Sequence, residues 1–187
     1  MPWWRRWDGS ADGSRRGAVP RRAELAGEPV NTQVRVEIPA QVDRRSRALP
    51  TPLTTQRIAG SLRRLGIRCL TDESGSLLAM WERHMVLFAL EGPEQEILVM
   101  RARAYGTLPT DWAGRAHAAL NEWNHTRRFL KSYVGEPTEK GRLSLYAEMQ
   151  VPLVPGAHDA LLDELVDCAA AVSGSWVDWL HDEGGLL

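Results

Sequence analysis

The sequence predicts an α+β fold for residues 51–187, with an antiparallel sheet and helices in the order α-β-β-β-β-α-β-β-α. Three observations carry that expectation. Apolar residues recur at helical spacing in three separate stretches, and between them run short segments rich in branched residues with period-two alternation. Glycine and proline punctuate the joins, where chain reversals need them.

The first helix is expected from Thr54 to Leu65, since Ile58, Leu62 and Leu65 recur at three- and four-residue steps. Thr54 or Thr55 supplies a cap and Gly66 a stop. Ile67 to Thr71 and Leu77 to Trp81 then read as a hairpin about the turn Asp72-Glu73-Ser74-Gly75. A second hairpin follows, His84 to Leu90 and Ile97 to Tyr105, joined through Gly92-Pro93. Val99, Arg101, Arg103 and Tyr105 alternate in its second strand as on a half-exposed sheet. The four strands together suggest a meander.

Helical spacing returns from Asp111 to His125, placing Trp112, Ala116, Ala119, Leu120 and Trp123 on one face expected to pack on the sheet. Phe129 to Val134 and Leu143 to Val151 give a third hairpin around Glu136-Pro137 and Gly141. The last helix is expected from Ala157 to Asp182. Leu161, Leu165, Cys168, Ala169, Val172, Trp176 and Trp179 share one side of it, and Asp163, Asp167 and Asp178 form an acidic, solvated side.

Residues 1–50 read differently. They form a basic arm containing arginine and tryptophan, with too little apolar periodicity to offset the entropy of ordering, so most of it is expected to be disordered. The alternation Val34-Arg35-Val36-Glu37-Ile38 suggests a short strand over 34–38. Ten arginines against six acidic residues leave the arm at +4, whereas thirteen basic and eighteen acidic residues leave residues 51–187 at −5. Such an arm either folds back on the acidic body or reaches an anionic partner, nucleic acid or a membrane surface. Trp3, Trp4 and Trp7 around Arg5 and Arg6 fit either outcome, because indole rings favour interfaces and guanidinium groups favour phosphates.

Chemistry legible from local spacing is missing. The glycines form no GxxxxGK or GxGxxG phosphate loop, and no Gly-x-Ser-x-Gly elbow occurs. Cys69 and Cys168 stand 99 positions apart with no CxxC spacing, which indicates neither a disulfide framework nor a zinc cluster. His117 and His125 share a face of the second helix but lie about 12 Å apart along it, too far to bind one metal directly. His84, His158 and His181 are isolated. The expectation is therefore no catalytic residue, no metal site and no cofactor. Without a secretory leader or a membrane-spanning apolar run, the protein is expected in the cytoplasm.

The motif Leu120-Asn121-Glu122-Trp123-Asn124, followed by basic residues and then Phe129 to Val134, resembles the Asn-x-Trp-Asn signature of the YbjN-domain family of bacterial sensory transduction regulators. From about Pro52 to Trp179 the opening helix, the Asp72 to Gly75 turn, Trp81, the motif helix and the closing hairpin and helix follow the family order. The resemblance implies a type III secretion chaperone-like fold, often dimeric, and a non-enzymatic, protein-binding or regulatory role. Physically, Trp123 is expected beside Trp112 on the buried face, and Asn124 at its margin, bonding backbone or capping the helix end. Asn121, opposite, is the candidate contact for a protein partner, alongside Trp3, Trp4, Arg5, Arg6 and Trp7. The alternatives are a small-ligand sensor or enzyme whose site forms only on folding, and an adaptor tethered to membrane or nucleic acid by the arm.

Overall fold

The computed structural model describes residues 49–187. The arm, its strand over 34–38, and Trp3, Trp4, Arg5, Arg6 and Trp7 lie outside the described residues.

The chain enters with Thr51 bridged to Ala157, followed by α1 (Thr55–Arg64). The Thr54 hydroxyl accepts from the Arg57 amide and so satisfies one of the helix's free N–H groups. Gly66, at φ +72°, turns the chain out of α1 where a side chain would be strained. Strands β1 (Cys69–Thr71) and β2 (Leu77–Met80) follow. In the turn between them the Asp72 carboxylate accepts from the amides of Ser74 and Ser76. Next come β3 (His84–Glu91) and β4 (Ile97–Pro109), a 3-10 turn over Thr110–Trp112, and α2 (Ala113–Thr126). The chain closes with β5 (Lys131–Val134), β6 (Arg142–Pro152) and α3 (Asp159–His181). The predicted α+β class and element order are thus those of the molecule.

All six strands pair antiparallel in the order β1-β2-β3-β4-β6-β5. The meander runs through β4, after which α2 carries the chain past the place of β6 to the far edge. There β5 is laid down before β6 returns to fill the gap. The inner sheet face carries Leu77, Ala79, Val86, Phe88, Leu98, Met100, Ala102, Leu145 and Ala147, all buried, against Ile58 and Leu62 of α1 and Leu162, Val166 and Trp176 of α3. Each valine, leucine, isoleucine, methionine or phenylalanine among them contributes about 1.5–3 kcal/mol by leaving water, and each alanine less. No helix among the described residues is long and apolar enough to cross a membrane.

Two expectations about helix faces need correction. Trp112 does not join the buried face of α2: it lies in the 3-10 turn ahead of the helix, where the 100° register does not apply, and its ring is instead covered by the Arg115 guanidinium at 4.6 Å. On α3 the buried side is rotated toward Leu162, Val166, Ser173, Val177 and Leu180, leaving Leu161 exposed and Leu165 and Val172 half-buried. The helix meets the sheet, α1 and α2 together, so its buried arc is wider than a single stripe. The acidic side is also more than solvated. Asp159 and Asp163 pair with Arg57 and Arg64 of α1, and Asp178 pairs with Arg83.

Candidate functional site

Alternation along the strands sends every second side chain to the sheet face away from α1 and α3. The register then assembles rows across that outer face. Met80 stands opposite Met85, Met85 opposite Arg103, Arg103 opposite Tyr146, and Tyr146 opposite Tyr133. One step away run Leu70, Leu78, Leu87, Arg101, Glu148 and Lys131, each opposite the next. Apolar side chains crowd the β1–β2–β3 half, and arginine and tyrosine the other. Leu70 is 64 % exposed and Met80 57 %, so two large apolar groups at this end face solvent.

The polar half is held by one ionic network. Arg101 donates from Nε to Glu148 and lies 3.9 Å from Glu91. Glu148 also accepts from Gln150 Nε2 at 2.6 Å and from the Tyr133 hydroxyl at 3.3 Å. Partial burial pushes the Glu148 carboxyl up, but the bonds from Arg101 and Gln150 outweigh it and hold the group below its usual range. Burial, and then the Glu148 charge, raise the Tyr133 phenol. The Tyr133 and Tyr146 rings stack at 5.4 Å between centroids and 15° between planes.

Arg103 is outside this network. Its Nε is shielded from solvent and has no hydrogen-bond acceptor among the described residues, although most buried donors in folded proteins are satisfied.

The Asn-Trp-Asn motif lies behind this face. Trp123 is buried, donates from Nε1 to the Leu130 carbonyl at 2.9 Å, and packs tilted against Trp179. Asn124 pairs twice with β5, giving Nδ2–H to the Ser132 carbonyl at 2.8 Å and accepting the Ser132 amide at 2.7 Å. The Ser132 hydroxyl accepts from Trp176 Nε1 at 3.0 Å and donates to the Tyr146 carbonyl at 2.9 Å. The backbone-bonding role expected of Asn124 is present, but not the cap. Arg127 ends α2 in an extended conformation, and Lys131 Nζ reaches the Asn124 and Arg127 carbonyls. The motif therefore fixes the edge strand that presents Tyr133. Asn121 is exposed on α2, directed away from this packing.

The other candidates resolve into structure. His84 is buried, its ring stacked on Trp81 at 5.0 Å. Ser173 Oγ donates to the Ala170 carbonyl, so it accepts from His84 Nε2–H at 3.1 Å. Burial lowers the His84 pKa and so favours the neutral ring. His158 caps α3 by accepting the Leu161 amide. His117 and His125 are exposed. Burial, with Asp167 and Glu164, pushes the Cys168 thiol up to about 11, which leaves it a poor nucleophile. Among the described residues no three histidine, cysteine or carboxylate side chains come together as a metal site. A shallow groove of roughly 380 Å³ lies among Thr107, Thr138, Glu139, Lys140 and Arg142, but Arg142 there is engaged by Thr107.

Sequence reasoning named Asn121 and Trp3, Trp4, Arg5, Arg6 and Trp7 as contacts for a partner and did not single out the residues of the outer row. The alternation of Arg101, Arg103 and Tyr105 was its only local trace, because the register that joins it to Met80 and Tyr133 spans five strands.

Comparison with known proteins agrees with this architecture. The YbjN family, described as "Putative bacterial sensory transduction regulator", matches residues 54–182. No curated protein sequence matches the chain. Among solved structures, one described as "Crystal structure of YbjN, a putative transcription regulator from E. coli" superposes with a TM-score of 0.60 at 12 % identity. The alignment covers 72 % of this chain and 96 % of that one. At that identity the likeness concerns the fold.

Proposed function

The chain belongs to the YbjN family, and from that premise we propose that it is a cytoplasmic regulatory protein that acts by binding another protein, without catalysing a reaction. The observation that carries this reading is the outer row Met80, Met85, Arg103, Tyr146 and Tyr133. Methionine, arginine and tyrosine are the residues enriched at the centres of protein interfaces, where lysine, glutamate and aspartate are depleted. The row also sits on a rigid sheet, so little order has to be gained on binding. The family and the solved neighbour are both described as regulators, which supports the same role.

The sheet edges are less suited to the task. β1 has three residues and β5 four, and short edge strands with lysine are how proteins discourage strand addition. The open face is the better surface. Affinity capture from the native host tests the proposal with three baits: the full chain, a chain beginning at Leu49, and the full chain carrying Met80→Glu with Met85→Glu. A protein partner is expected with the first and lost with the third, and the second reports whether Trp3, Trp4, Arg5, Arg6 and Trp7 contribute. A partner held equally by the double variant, or none at all, refutes it.

A further inference from the structure

The partner's chemistry can be narrowed, on the reading that the outer face binds a protein. Within that face the charges are unequally matched. Arg101 is neutralised by Glu148 and Glu91, and Lys131 is turned onto the carbonyls of Asn124 and Arg127. Among the described residues Arg103 has no ion pair, and its shielded Nε lacks an acceptor. Its register neighbours are Met85 and Tyr146, neither of which offers a negative charge. A shielded, unsatisfied donor is unfavourable unless something from outside accepts from it, and a carboxylate meets a guanidinium with two parallel bonds. On the β1–β2 side, Leu70 and Met80 stand exposed on the same face, and thioether side chains adapt to varied apolar partners.

We infer that the outer sheet face docks a short protein segment combining apolar side chains with a carboxylate, the carboxylate seated on Arg103 and the apolar groups on Met80, Met85 and Leu70. The net charge of the domain that bears this face favours such a segment over a polyanion. Residues 51–187 carry −5, so a nucleic acid approaching this domain meets repulsion at long range, whereas one carboxylate within an apolar segment meets only its local field.

The test uses the full chain and two fluorescently labelled dodecapeptides of leucine and serine, alike except that one carries a single central glutamate and the other a single central lysine. Binding is followed by anisotropy and mapped by amide chemical shifts. The acidic peptide binds more tightly than the basic one, and its shifts fall on β2, β3, β4 and β6. Arg103→Gln weakens it about tenfold or more, while Arg103→Lys, which keeps the charge, retains part of the affinity. Raising salt from about 50 to about 500 mM weakens the wild-type complex and leaves Arg103→Gln nearly unchanged. Unaltered thermal melting of both variants shows that neither acts through folding.

Equal binding of the two peptides, or an undiminished Arg103→Gln complex, overturns the carboxylate assignment, even where native-host capture still yields a partner sensitive to Met80→Glu. A single-stranded oligonucleotide shifting the same residues in place of the acidic peptide also overturns it. So does a dimer in light scattering that dissociates on Met80→Glu, because the face then belongs to a second copy.

Discussion

Asn124 lies within α2 with its amide turned toward β5, so that one side chain replaces a neighbouring strand by giving and accepting a bond at Ser132. Removing it leaves a partly buried backbone N–H and C=O without partners, at about 1–3 kcal/mol for such a loss. Asn124→Ala is therefore expected to lower the urea unfolding free energy by that amount and to speed hydrogen exchange at the Ser132 amide. Asn121→Ala, two helix positions outside this packing and exposed, is expected to stay within about 0.5 kcal/mol of wild type. Equal losses would show that the motif's two asparagines share a structural role. Sequence spacing placed Asn124 at the margin of the buried face, and that is where it sits. Its partner was not legible, because Ser132 belongs to another element and is joined by a turn whose path spacing does not encode.

Between elements, the contact of α1 with α3 shows how a polar stripe becomes structural. Asp163 accepts from Ser61 Oγ at 2.6 Å and from Arg64 at 2.9 and 2.6 Å. The sequence marked Asp163 as solvated because it lies opposite the apolar stripe, a sound inference for an isolated helix. It fails here because α1 packs along that flank, and the same crowding rotates the buried arc of α3. The Arg64 pair is half-exposed and screened, so it contributes little. Ser61, fully buried, decides the outcome. Asp163→Ala strands its hydroxyl and is expected to cost about 1–2 kcal/mol, whereas Asp159→Ala, at a 65 % exposed carboxylate, leaves the melting temperature close to wild type. Burial raises the Asp163 carboxyl, but the bonds from Arg64 and Ser61 outweigh it, so its folded pKa lies below the unfolded value of about 3.9. Its contribution is fully present above that value and is lost as pH falls below it toward the folded pKa. Denaturation midpoints between pH 6 and pH 2.5 should therefore fall more steeply in wild type than in Asp163→Ala, and parallel curves would refute the assignment.

Across the whole molecule, what the sequence shows is order, and what it hides is adjacency. Residues ten or twenty apart define each helix and hairpin, so the α+β class follows from local period. The outer row joins Met80 to Tyr133 across 53 positions, and its formation depends on β6 inserting between β4 and β5, which no local pattern states. The same long-range joins bind the domain into one unit. Thr51 pairs with Ala157, Ser61 with Asp163, His84 with Ser173, and Trp176 with Ser132. These joins tie each end of the domain to the other, which favours all-or-none unfolding in a domain of this size. Residues 49–187 expressed alone are accordingly expected to fold and to melt in one step. Trp81, Trp112, Trp123, Trp176 and Trp179 are spread over the β2–β3 turn, the entry to α2, α2 itself and α3. Their fluorescence reports on regions distinct from the strand signal in far-ultraviolet circular dichroism. Coincident midpoints for the two probes are expected. A fluorescence transition preceding the loss of secondary structure would show that α2 and α3 part from the sheet first, and that the bonds through Ser132 are too weak to couple them.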